Sequence, residues 1–205
     1  MVDLAADAVV ELDPRVERSR RVILEAVLEE LGAVGYGRLT IESVAARAKV
    51  GKSTIYRHWP GKLELVEDAF RTLKASVIVP AEGTLRDRVI EILEQVACLI
   101  DQSTYSACMP ALIDAAERDP NVRAFHTRFS AERREGLVGL LRDAIASGEL
   151  PAATDPDILA DALVGPIIMR RLFLGQTVGP GIARELVDQL LPPAGDQDGA
   201  TTSAP

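Results

Sequence analysis

The sequence predicts an all-α protein, with a small three-helix unit near the N-terminus carried on a larger helical bundle. Three observations predict it. Apolar residues recur at three- and four-residue intervals through most of the chain, and nowhere alternate as a half-buried strand requires. The apolar content is 47% but aromatic residues are only 4%, so the core is aliphatic, as in packed helices rather than a β-sandwich. Gly and Pro mostly punctuate the periodic segments at positions that start or stop helices.

Taken in order, residues 1–14 are acidic and Ala/Val-rich without a stripe and are expected to form a flexible arm, with Pro14 suited to a helix start. From Val16, residues Ile23, Val27, Leu31 and Val34 mark one helical face, which Gly35-Tyr36-Gly37 stops. Thr40 is a good N-cap for a short helix carrying Ile41, Val44, Ala45 and Ala48. Ser43 stands where a Glu completes a capping box, so only half of the box is expected. Lys49-Val50-Gly51 reads as a tight break. A second short helix then opens at Lys52 or Ser53 and runs to His58, closed by Trp59-Pro60-Gly61. Helix, helix, tight turn and short helix make a compact DNA-reading unit over 15–61.

Residues 62–191 are expected to form a second, sensing and dimerising domain, beginning with a connector helix over 62–74. Within it, Thr84 caps a helix to about Asp101 and residues 104–117 form a shorter one containing Met109-Pro110. Asp119-Pro120 opens a long helix ended by Gly148, and Asp155-Pro156 opens a nearly all-apolar one to Leu174. A last helix spans Pro180 to Leu191. The Pro/Gly/Ala/Ser/Thr-rich residues 192–205 are expected to be a disordered tail.

A net charge of −8 argues against a polyanionic partner only as an average. Residues 75–205 carry 11 Lys/Arg against 19 Asp/Glu, so the acid lies in the body. From Ser43 to Leu63 the chain holds Arg47, Lys49, Lys52, Arg57 and Lys62 and no acid. Local field, not net charge, steers a polyanion to its site.

The string Leu39-Thr-Ile-Glu-Ser-Val-Ala-Ala-Arg-Ala-Lys-Val-Gly-Lys-Ser-Thr-Ile-Tyr-Arg-His-Trp-Pro-Gly-Lys62, within residues 20–66, resembles the N-terminal domain of the tetracycline-repressor (TetR) family. The resemblance implies a sequence-specific transcriptional regulator, a repressor that binds a palindromic operator as a homodimer and is released by a small, largely apolar ligand. It places Lys52, Ser53 and Arg57 toward base edges, where Lys and Arg suit guanine acceptors. Thr54, Tyr56, His58 and Lys62 fall on phosphates, joined by Thr40 from the preceding helix start. Val44 and Ile55 pin the two short helices together. Gly51 departs from the Ser common in the family at the start of the recognition helix, which removes one side-chain cap or phosphate contact.

In the body, Met109, Phe125, Phe129, Met169 and Phe173 are adaptable or aromatic residues on helices able to surround an effector pocket. Pro166 removes the hydrogen bond to the Ala162 carbonyl and bends its helix, so Ala162 and Pro166 join this expected lining. Leu159, Leu163, Ile167 and Leu174 are candidates for a dimer interface, a fully buried helix being the competing reading. Cys98 and Cys108 sit on apolar segments and read as buried structural thiols, with neither disulfide framework nor metal spacing.

No metal site or cofactor is expected. His58 and His126 are the only histidines and neither joins a catalytic constellation, so an enzyme is not expected. The apolar stretches are interrupted by Asp161 and Arg170 and the first residues are acidic, which predicts a cytoplasmic protein outside the membrane. Ligand-independent regulation, activation rather than repression, and a helical protein-binding adaptor remain as alternatives. The adaptor has no need of the acid-free basic window.

Overall fold

A computed structural model of the chain describes residues 14–73, 77–101 and 103–191; the expected tail, and the expected arm apart from Pro14, lie outside the described residues. Among the described residues there are nine α-helices and no strand. They divide into two compact units, one ending at Thr72 and one beginning at Leu73.

In the first unit, α1 (Pro14–Arg38) packs against α2 (Ile41–Ala48) and α4 (Lys62–Thr72), and α2 packs against α3 (Lys52–His58). Ile23, Val27 and Leu31 form the expected stripe and are fully buried. The helix breaks at Gly35, whose φ of 77° and ψ of 164° belong to a region that is essentially glycine-only. A last turn then carries the chain to Arg38, and the Leu39 amide donates to the Gly35 carbonyl at 3.1 Å. The α2 capping box is complete, contrary to the half-box read from the sequence. Ser43 N–H donates to Thr40 Oγ1 at 3.1 Å, and Thr40 N–H donates to Ser43 Oγ at 3.2 Å. A serine hydroxyl thus reaches back as a longer Glu would.

The helix over 62–72, expected to open the second domain, belongs to the first unit. Leu65, Val66, Ala69 and Phe70 are all fully buried, and α4 packs on α1. An amphipathic helix goes where its apolar stripe finds cover.

The second unit is a bundle of α5 (Leu85–Asp101), α6 (Ser103–Arg118), α7 (Pro120–Ser147), α8 (Pro156–Ile168) and α9 (Ile182–Leu190). α6 packs along α7, α5 against α9, and α8 against α5, α7 and α9. The starts follow the sequence signals. Asp119 accepts from Asn121 N–H, and Asp155 accepts from Asp157 and Ile158 N–H, each with Pro in the first turn. Gly148, at φ 82°, closes α7.

Two expectations need correction. The apolar helix expected to reach Leu174 is α-helical only to Ile168, and Met169–Phe173 form a π-helical turn in which Leu174 N–H donates to Met169 O at 3.0 Å. The widened turn begins three residues after Pro166. Cys98 is exposed, whereas Cys108 is buried as expected.

Before α5, residues 77–80 run as a strap across the bundle. The Gln95 side chain holds it at both polar groups of one residue, accepting from Ile78 N–H at 2.8 Å and donating to Ile78 O at 3.0 Å. Arg88 Nε donates to Pro80 O at 2.7 Å. A Cβ on Gly136 of α7 would lie 2.8 Å from Val79 Cγ2, so any larger residue there would make the Val79 side chain shift.

Candidate nucleic-acid interface

The turn between α2 and α3 is set by Lys49, left-handed at φ 56°, whose N–H donates to Ala46 O at 3.3 Å, and by Val50 N–H donating to Ala45 O at 3.0 Å. Gly51 caps α3 with ordinary extended dihedrals and no side-chain bond. Val44 and Ile55, both fully buried, pin the helices as expected. With Ile55 facing inward, Lys52, Ser53, Tyr56, Arg57 and His58 are all exposed and Thr54 is half-buried. The short α3 therefore gives almost its whole outer surface to polar and basic side chains.

The acid-free window in sequence is not acid-free in space. Lys52 Nζ donates to Glu42 Oε1 at 3.0 Å, an exposed pair. That hydrogen bond from Lys52, with the helix-start backbone and the ammonium charge, holds the Glu42 carboxyl below its ordinary pKa. Arg47 turns inward to α1, 2.7 Å from the Glu30 carboxylate and 3.5 Å from that of Glu29. Glu30 is buried, so Arg47 serves the fold. Lys62 is half-buried, donates Nζ–H to Tyr36 O at 3.0 Å and sits 4.2 Å from the Tyr36 ring centroid. It thereby secures the turn that follows the Gly35 break. Arg57 and Lys49 have no ion pair among the described residues.

Trp59 ends α3 and is buried. Its indole Nε1–H donates to Asp68 Oδ2 of α4 at 2.9 Å, and the same oxygen accepts from Arg20 Nη2 of α1 at 2.6 Å. One carboxylate therefore ties three elements together behind the exposed face. The sequence reading used Trp59 to close the short helix and missed its partner, which is one of three acids on α4 and carries no mark of its own in sequence.

In the second unit a cavity of about 340 Å³ lies between α5, α6, α7 and α8. Of the residues expected to line a pocket, only Phe129 lines this one. Met109 and Phe125 are buried core, Phe125 lying against Phe129 with ring centroids 5.7 Å apart. Ala162 and Pro166 are half-exposed, while Met169 and Phe173 are 51% and 72% exposed. Ala162 and Pro166 lie on a different face of α8 from Asp161, Val164, Gly165 and Ile168, which do line the cavity, and Met169 and Phe173 belong to the π-helical turn that follows. The other lining residues were missed: most are aliphatic, and the polar ones are Tyr105, Ser130, Arg133, Arg134 and Asp161. Burial pushes the Tyr105 phenol pKa up, opposed by the Arg133 charge. Charged residues on otherwise inward-facing stripes were the available signal.

The expected dimer residues also separate. Leu163 and Ile167 are fully buried within their own unit, which removes them from any outer surface, and Leu159 is half-buried. Leu174 is exposed, together with Ile158, Met169 and Phe173. The apolar helix buries one stripe, Ala160, Leu163 and Ile167, and the exposed apolar residues include Met169 and Phe173, first assigned to a pocket.

The described helices include none long and apolar enough to cross a membrane, and no cluster of three metal-ligating side chains. Residues 23–69 match the family described as bacterial regulatory proteins, tetR family, and residues 79–190 match the tetracyclin repressor-like C-terminal domain. The chain is 32% identical over 176 residues to the HTH-type transcriptional regulator YdeS of Bacillus subtilis, covering 85% of this chain and 88% of that one. It is 31% identical over 185 residues to the DNA-binding transcriptional repressor TetR of Mycobacteroides abscessus, covering 86% and 94%. Among solved structures it is similar to the TetR family transcription regulator SCO0332, with a TM-score of 0.61 at 28% identity, covering 85% of this chain and all of that one. With both halves of the fold matched and the exposed basic helix in place, the chain belongs to the TetR family of helix-turn-helix transcriptional regulators.

Proposed function

We propose that this regulator is a cytoplasmic repressor that binds a palindromic operator as a homodimer and releases it when a small, largely apolar ligand occupies the second unit. The observation that carries the reading is the outer face of α3, where Lys52, Ser53, Tyr56, Arg57 and His58 are exposed around the buried Ile55. A recognition helix reads base edges in the major groove while its flanks hold phosphates. Lys52, Ser53 and Arg57 take the bases, and Thr54, Tyr56, His58 and Lys62 the phosphates. Thr40 keeps a hydroxyl hydrogen to donate, because its oxygen only accepts in the capping box.

One such unit buries little surface, and two half-sites about 34–36 Å apart are the usual remedy. The exposed stripe of Ile158, Met169, Phe173 and Leu174 supplies a self-association surface. The apolar cavity supplies the ligand site. Repression rather than activation follows the M. abscessus relative, which is named a repressor. The reading assigns no enzymatic step.

The test is selection of bound fragments from the source genome, followed by footprinting with the wild type and Arg57→Ala. A shared palindrome, lost or altered at one position per half-site in the variant, is the expected result. Bound fragments without any common sequence would overturn it.

A further inference from the structure

We propose that the cavity of the second unit is an organic-anion site, taking a monocarboxylate on an apolar body with Arg133 as its counter-charge. The inference rests on the ligand-release reading and narrows the ligand to a chemical class. Most of the wall is aliphatic, including Val96, Leu99, Leu137 and Val164, and such a wall asks for an apolar body. Three charged side chains interrupt it. Two answer each other: Arg134 Nη2 lies 2.9 Å from Asp161 and 3.4 Å from Asp157.

The third is unanswered. Arg133 Nη1 is buried without a hydrogen-bond partner, and no carboxylate pairs with this guanidinium among the described residues. Its carbon stands 5.3 Å from the Tyr105 ring centroid and 5.4 Å from that of Phe129, both rings lining the same cavity. Ring faces attract the cation but offer no in-plane lone pair to its N–H groups. Arg133 as a whole is half-buried, but enclosing its Nη1 without an acceptor is costly, and a guanidinium is built to take a carboxylate through two parallel hydrogen bonds. One uncompensated cation calls for one negative charge, and the nearby Asp161 carboxylate disfavours a second. At roughly 30 Å³ per water-sized group, the cavity holds a ligand on the order of a dozen non-hydrogen atoms.

The probes are decanoate, 1-decanol and decylammonium, which share a chain and differ in head charge, titrated calorimetrically into the full-length protein. Decanoate is expected to bind about ten- to a hundred-fold tighter than decanol, the range of a charge-assisted hydrogen bond, and decylammonium not measurably. Arg133→Met keeps the volume and removes the charge. It is expected to retain decanol binding, to melt no lower than wild type, and to bring the decanoate preference close to one. Decanol binding as tightly as decanoate to the wild type, or no binding by any probe, overturns the proposal even if the variant fails to fold. A folded Arg133→Met that keeps the preference overturns it too. Operator affinity measured with saturating probe separates the two readings. Preferred decanoate binding with unchanged operator affinity leaves the anion site standing and removes ligand release. Equal binding of decanoate and decanol with operator released does the reverse.

Discussion

Replacing Asp68 tests how the recognition helix is held. Its Oδ2 accepts from the buried Trp59 indole at 2.9 Å and from Arg20 at 2.6 Å. The Arg20 side chain is 45% exposed, so solvent screens that pair to about 0.5–1 kcal/mol. The indole N–H is enclosed, and orphaning it costs about 1–3 kcal/mol. Asp68→Ala therefore loses about 1.5–4 kcal/mol from the first unit, combining the screened pair and the orphaned donor. Asp68→Asn keeps an acceptor for the indole and loses chiefly the charge, about 0.5–1 kcal/mol. Trp59 is the chain's only tryptophan, so urea titration followed by fluorescence excited selectively at the indole reports on this unit alone. Equal losses in the two variants would refute the reasoning, because the indole bond must then contribute nothing beyond the ion pair.

Three other substitutions test separate parts of the argument. Gly35→Ala meets no atom within 4 Å, yet its φ of 77° is strained for any side chain, so a loss of about 1–3 kcal/mol should appear in the urea midpoint. Glu42→Gln releases Lys52 and removes a charge that repels phosphate. Operator affinity by fluorescence anisotropy should rise several-fold at low salt, the gain fading as salt increases, whereas weaker binding would mean that Glu42 orients Lys52 productively. Phe173→Glu places a charge on the exposed apolar stripe and should yield a folded monomer in sedimentation, and an intact dimer would move the interface elsewhere.

The helix-turn-helix was legible because its signals are local. The Thr40 cap, the Lys49 break, the Gly35 stop and the apolar posts Val44 and Ile55 all act within a few residues of themselves. The exposed face of α3 follows from the same spacing. The cavity was not legible, because α8 is apolar on most sides and periodicity alone does not say which side meets which neighbour. Leu163 turns into the core, Val164 toward the cavity and Met169 toward solvent, although all three look alike as hydrophobes in sequence. The pairing of basic side chains was equally hidden: Arg47 and Lys52 find Glu30 and Glu42 only after the helices fold against each other. Asp161 and Arg133 were visible as charges on inward-facing helices, but which one lacked a partner depended on packing.

The hold of Gln95 on the strap carries a consequence for how the cavity exchanges its contents. Its amide supplies the two hydrogen bonds that a neighbouring β-strand normally gives to one residue, yet it has no next residue with which to continue the ladder. Val77, which lines the cavity, is thus held on a short segment rather than on a helix. Letting go of Ile78 costs two partly solvated hydrogen bonds, about 1–3 kcal/mol. Global unfolding of a domain costs about 5–15 kcal/mol. The strap side of the cavity is therefore the wall held by side-chain hydrogen bonds rather than by helix packing, and releasing Ile78 takes less free energy than unfolding the bundle.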